Sequence, residues 1–156
     1  MRKILIFTLL VCCLQMVAQE QPKRAKNVIL LLADAAGVPT ISAASLYGYQ
    51  APQKLYIQSW SHVGMSDTTT ASQWVTDSAA GMTAIVTGRK THNGVISQGP
   101  DAVRGKSAGA PLKTILEYAE EHGLSTGVVT NMSAADATPA ACYAVLKVRT
   151  ACSRPA

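Results

Sequence analysis

Apolar and polar positions fall into blocks long enough to name elements. Residues 27–33 form a continuous apolar run between polar flanks, which suits a strand buried on both faces. Residues 41–47 read as a helix and residues 61–65 as a second strand. Residues 77–87 predict a helix, followed by a loop rich in Gly and Pro over 91–110. Residues 111–122 give a clear amphipathic pattern, with Leu112, Ile115, Leu116 and Ala119 on one face, Pro111 in the first turn and Gly123 as the stop. A β-branched strand is expected over 126–130, and a short helix over 139–146 with Thr138 as N-cap and Pro139 at the first helical position. Strands and helices in alternation predict an α/β fold, a largely parallel sheet sandwiched by helices.

The N-terminal block follows a different rule. Met1, Arg2 and Lys3 precede an apolar run from residue 4 through 11 and beyond, with Ala18 as a small residue at a cleavage site. The run is short for a membrane span of about 20 residues, and a polar, basic stretch follows it. The expected organisation is a signal peptide over 1–18, a polar linker over 19–26, one domain over 27–146 and an atypical tail over 147–156. Export to a periplasmic or extracellular location follows, with no transmembrane segment in the mature chain. A lipid anchor on Cys12 or Cys13 and a retained anchor are the alternatives.

Composition narrows the function. The chain has 156 residues, 48% of them hydrophobic, enough for one core. Its formal charge is +5, and removing residues 1–18 takes away Arg2 and Lys3, leaving 12 basic against 9 acidic side chains. The net +3 is mild and dispersed, and only 5% of residues are aromatic, so nucleic-acid binding is not expected. Cys142 and Cys152 lie in a compartment that permits a disulfide, but a small buried thiol is the plainer reading of Cys142. Neither has metal-ligand spacing.

The candidate chemistry centres on residues 74–90, WVTDSAAGMTAIVTGRK. Ser78 follows Asp77 at the start of a helix of small residues. Helix starts expose unpartnered N–H groups and the positive end of the macrodipole, so a serine there can carry a phosphoryl group at low cost. The same pair is also an ordinary helix cap. Asp34 lies just beyond the first predicted strand, and Asp136 and Thr138 just beyond a later one, so the crevice at the carboxyl ends of the sheet would collect them with Ser78. Read alone, Asp34 could close the strand by an Asx-turn, Thr138 could be a simple N-cap, and Asp136 a turn residue.

Three ordered stretches, NVILLLADAAG (27–37), TDSAAG with TGRKTHNG (76–81 and 87–94) and SAADATPAA (133–141), resemble the alkaline phosphatase family of metal-dependent phosphomonoesterases. The resemblance implies an alkaline-phosphatase-like fold, incomplete here because the chain matches the N-terminal portion only and ends, by truncation or frameshift, after about Leu146. It implies two-step phosphoryl transfer: zinc lowers the pKa of the Ser78 hydroxyl, Ser78 forms a phosphoserine, a second zinc stabilises the leaving oxygen, and water releases phosphate. It further implies that Asp34 bridges a zinc and the magnesium, that Thr138 offers its hydroxyl to magnesium, that Asp136 binds or orients a magnesium-bound water, and that Arg149 clamps phosphate oxygens. Small phosphomonoesters are the implied substrates and a homodimer a possible assembly.

The chain departs from that pattern in two places. Where the family has GDGMG it has ADAAG, so any position there needing a positive φ falls on alanine. His62, His92 and His122 match no ligand motif, and the remaining Asp, His and Glu ligands have no counterpart in the chain. An inactive or weakly active phosphatase fragment is therefore expected. The alternative is a noncatalytic secreted remnant that binds phosphate or a metal. A phosphodiesterase or sulfatase is disfavoured, because those generally use threonine or a modified cysteine where this chain has Ser78.

Overall fold

The computed structural model describes residues 25–143. By its internal contacts the chain divides into two units, Met1–Leu32 and Ala33–Ala156. In the first, residues 27–32 run extended with their side chains in solvent, Val28 and Leu31 being 84% and 83% exposed.

The second unit is built on helices: α1 Val38–Tyr49, a single 3₁₀ turn Tyr56–Ser59, α2 Ser78–Thr87, α3 Ile115–Glu121 and α4 Ala137–Tyr143. Among the described residues there are two isolated β-bridges, Gln98 with Pro111 and Val103 with Ser107, and no strand. The three expected strands are thus corrected. Residues 27–33, 61–65 and 126–130 are not paired, and Val63, Met65 and Val129 are exposed. An apolar run states a demand for burial, whereas a strand also needs a neighbouring backbone to take its N–H and C=O groups. No described segment supplies one.

α2 forms the centre of the core. Ala79, Met82, Thr83 and Val86 recur at helical spacing and are buried, and Gly88 closes the helix in the left-handed region with its N–H on the Ala84 carbonyl. The buried face packs against Ala140, Ala141 and Cys142 of α4 and Ile96 of the intervening loop, with Leu116 and Ala137 alongside. Small side chains on both helices allow a close approach. α1 packs on none of the other three helices, and its one buried side chain, Ser45, is held by the Ala51 carbonyl and the Lys54 amide.

The loop expected over 91–110 is present and partly buried. Thr83 Oγ1 accepts the Ser97 amide at 3.0 Å, and Ser97 Oγ donates to the Ala141 carbonyl at 2.9 Å, so the loop is bonded to both α2 and α4. Gly99 donates to Ala110, and Leu112 to Ser97.

That pairing corrects the start of the next helix. Pro111 lies in a bridge, and α3 begins four residues later, at Ile115, behind Thr114. Thr114 Oγ1 accepts the Glu117 amide while the Glu117 carboxylate accepts the Thr114 amide, a reciprocal cap that outweighs proline's preference for a first turn. The C-terminus is as expected: Gly123, at φ +74, donates to Glu120, and Leu124 donates to Ala119. The His122 ring donates through Nδ1 to the Tyr118 carbonyl, a C-terminal role.

Thr83 is fully buried and accepts a backbone amide that has no other partner in the described structure. Thr83→Val keeps the shape and orphans the Ser97 N–H. The expected loss is about 1–3 kcal/mol, read as a lower urea midpoint with an unchanged slope.

Candidate active site

The elements above place three of the sequence-predicted residues on one oxygen atom. Asp34 Oδ2 accepts the Ser78 hydroxyl at 2.9 Å and the Thr138 hydroxyl at 2.8 Å. These partners are 44 and 104 positions away in sequence. Hydrogen bonds from Thr138 and then Ser78 favour the charged form and hold the Asp34 carboxyl below its ordinary value; burial opposes them, and the Ala35 amide adds the least.

Each group arrives by its own local rule. Ser78 is the first residue of α2, and Asp77 precedes it in extended conformation as the N-cap, its Oδ1 accepting the Ala80 amide at 2.9 Å. Asp77 takes the cap, which leaves Ser78 Oγ to reach Asp34. Asp34 sits in a tight turn closed by the Ala36 amide on the Ala33 carbonyl, with Ala35 at φ +57. The turn explains why the family pattern carries glycines here, and alanine occupies this conformation at a cost.

Thr138 differs from expectation. α4 begins at Ala137, and the Ala140 amide bonds the carbonyl of Asp136, so Asp136 occupies the cap position and Thr138 lies inside the first turn. Its hydroxyl is thereby spared from capping. Asp136 is half-buried two residues away, and its carboxylate makes no hydrogen bond among the described residues. Arg149, the fifth candidate, lies outside the described residues, as does Cys152. Cys142 is buried and unpaired, and burial pushes its thiol up.

The TGRKTHNG element braces the site. Asn93 Oδ1 accepts the Asp77 amide, Asn93 Nδ2 donates to the Val75 carbonyl, and the Gly94 amide donates to Asp77 Oδ2 at 2.6 Å. Gly94 needs to be glycine, since it sits at φ +78. Lys90 Nζ bonds Asp67 Oδ2 and Thr69 Oγ1. His92 is a loop residue, its Nε2 bonded to the Pro100 carbonyl and its Nδ1 to Ser72 Oγ. Sequence reasoning missed Asn93. The cue available was a single planar side chain with one donor and one acceptor, beside a glycine, in a segment already matched to the family.

The oxygen set offered by Asp34, Thr138 and Asp136 is hard, with one bonded carboxylate, one hydroxyl and a second carboxylate nearby, and this chemistry fits magnesium. It contains no nitrogen or sulfur donor of the kind zinc commonly takes. Among the described residues no group of three His, Cys, Asp or Glu side chains stands close enough to hold a metal ion.

Two changes test this geometry. Ala35→Gly removes a left-handed alanine and should stabilise the chain by roughly 1 kcal/mol, read in thermal or urea unfolding. Asp67 has its pKa lowered to about 2, first by the Thr69 amide and then by Lys90. Such a depressed acid adds stability above 3.8, its ordinary value, and that contribution is lost as pH falls through about 2. Lys90→Met should raise the Asp67 value only part of the way back, as followed by carboxyl NMR titration, because the Thr69 amide remains.

Comparison with known proteins identifies the family. Residues 25–156 match the family model for alkaline phosphatase. Alkaline phosphatase 4 of Drosophila melanogaster is 39% identical over 131 residues, 78% of this chain and 22% of its own. Streptomycin-6-phosphate phosphatase of Streptomyces griseus is 41% identical over 140 residues, covering 86% of this chain and 30% of its own. The alkaline phosphatase of the Antarctic bacterium TAB5 superposes on 71% of this chain and 30% of its own with a TM-score of 0.58 at 33% identity, and a mutant of that enzyme, equally similar in fold, has been solved with magnesium in its M3 site. The chain spans about a quarter of the length of the curated relatives it matches. With three sequence stretches, a shared fold and a family match over residues 25–156 in agreement, the chain belongs to the alkaline phosphatase family.

Proposed function

We propose that this chain carries the nucleophile and part of the metal site of a phosphomonoesterase acting through a phosphoserine at Ser78. The observation that carries the proposal is the convergence of Ser78 and Thr138 on Asp34 Oδ2 at the N-terminus of α2. In the first step an Oγ–P bond forms as the ester P–O bond breaks and the alcohol departs. In the second, water attacks phosphorus, the Oγ–P bond breaks, and phosphate leaves with serine restored.

The chain's own residues have distinct parts in this. Asp34 holds the hydroxyl proton of Ser78 and so turns the oxygen's lone pairs away from itself, toward incoming phosphorus. The amides of Ser78 and Ala79, the first two of α2, have no acceptor within the helix and face the anion with the positive end of the dipole. Asp34 and Thr138, with Asp136, would hold magnesium, which when bound neutralises phosphoryl charge. Arg149 is assigned the clamp on two phosphate oxygens. Zinc is the second metal that the resemblance implies, and when bound it would lower the pKa of the Ser78 hydroxyl.

Small phosphomonoesters are the proposed substrates, and a homodimer the proposed assembly. Residues 1–18 are assigned to a signal peptide, 19–26 to a linker and 147–156 to an atypical tail, with export as the consequence. Among the described residues no helix is long and apolar enough to cross a membrane.

A second reading is a noncatalytic remnant that binds phosphate or one cation, and the lack of a three-ligand metal cluster among the described residues favours it. Incubation of the purified chain with an aryl phosphate, zinc and magnesium separates the two. Weak phenol release and a phosphoryl adduct on acid-quenched protein are expected, both lost in Ser78→Ala. Turnover that survives Ser78→Ala sinks the proposal, and phosphate binding seen by ³¹P NMR without any adduct establishes the remnant.

A further inference from the structure

We infer that Asn93 is a positioning residue for Ser78, acting through the N-cap Asp77. The inference rests on the proposed role of Ser78 and adds to it the group that holds the nucleophile in register.

Asp77 is bonded at its amide and at both carboxylate oxygens, and two of those three bonds go to the Asn93–Gly94 pair. Asn93 Oδ1 accepts the Asp77 amide at 3.1 Å, and Asn93 Nδ2 donates to the Val75 carbonyl at 3.1 Å. One planar carboxamide thus spans Thr76 and ties the backbone on both sides of it. Gly94 then anchors Asp77 Oδ2, while Asp77 Oδ1 caps the helix on Ala80. Ser78 is the next residue, so its Cα is placed by the Asp77 backbone, which stands at ψ 175. Releasing the Asp77 amide loosens the chain on the N-terminal side of that residue, while its carbonyl stays on the Gly81 amide. Ser78 Oγ then no longer stays on Asp34 Oδ2, where it is held at 2.9 Å.

The residue type follows from the task. Aspartate at 93 would accept the Asp77 amide but could not donate to Val75, and it would bring a second carboxylate toward Asp77. Alanine would do neither. Asn93 lies 15 positions after Ser78 and bonds only backbone groups of 75 and 77, so it acts on the serine without being bonded to it.

The test compares the wild-type chain, Asn93→Ala and Asn93→Asp, with zinc and magnesium supplied and an aryl phosphate as probe. A misplacement of about 1 Å costs on the order of a hundredfold in rate. Asn93→Ala should therefore lower the rate of Ser78 phosphorylation by about ten- to a hundredfold while KM stays within about threefold, since no substrate contact is removed. Amide exchange read by NMR should show at least tenfold less protection at Asp77 and Ala80, with Met82 to Val86 unchanged, which establishes that α2 is still folded. The Asp34 carboxyl carbon should shift as the Ser78 hydroxyl leaves it. Asn93→Asp should recover protection at Asp77 but not the full rate. An Asn93→Ala chain with wild-type exchange at Asp77 and Ala80, or with an unchanged phosphorylation rate, overturns the inference. If wild type itself forms no adduct, the phosphoserine proposal fails, and exchange together with the Asp34 carbon shift still decides whether Asn93 positions Ser78.

Discussion

Two buried hydrogen bonds set the frame of this molecule. Ser97 gives its amide to Thr83 of α2 and its hydroxyl to the Ala141 carbonyl of α4. Ser97 and Thr83 are excluded from solvent, where an unmade bond costs more than a made one contributes, so the two helices cannot drift without stranding polar groups. Fixing α2 against α4 fixes their N-terminal ends as well. One carries Ser78 and the other Thr138, and Asp34 needs only to reach the gap between them.

The candidate site is consequently a junction of backbone ends. α2 is capped by Asp77, α4 starts behind Asp136, and the turn at Ala35 aims Asp34. None of these depends on a sheet. Helix caps and one connecting loop gather the candidate residues, while the unpaired stretches have no part in that.

How much of this the sequence discloses depends on what a given residue needs. The start of α2 was legible because capping is local: Asp77, Ser78 and Ala80 lie within one turn. The end of α3 was legible for the same reason at Gly123. The start of α3 is ambiguous in the sequence, because Pro111 suits a first turn while Thr114 and Glu117 spell out a capping box, and the pairing of Pro111 with Gln98 decides between them. Thr138 has the pattern of an N-cap but lies inside the first turn, since Asp136 is as good a cap and takes that position. The strands failed for a different reason. Residues 27–33 and 126–130 have the composition of buried strands, but pairing is a relation between distant segments that no local pattern states. The Asp34 contact with Thr138 spans 104 positions, and the sequence points to it only through the expected topology and the family resemblance.

The unpaired stretches have a consequence for the order of assembly. The α2, loop and α4 core buries its polar groups within itself, so this part can condense without the unpaired stretches. Residues such as Ile29 to Leu32 and Val128 to Val129 then present apolar side chains and open backbone edges to anything extended that meets them. During that interval the most probable neighbour in a crowded solution is another chain of the same kind. Yield on expression is therefore governed by how long those edges stay uncovered, and charge placed beside them should govern solubility more than any change within the helical core.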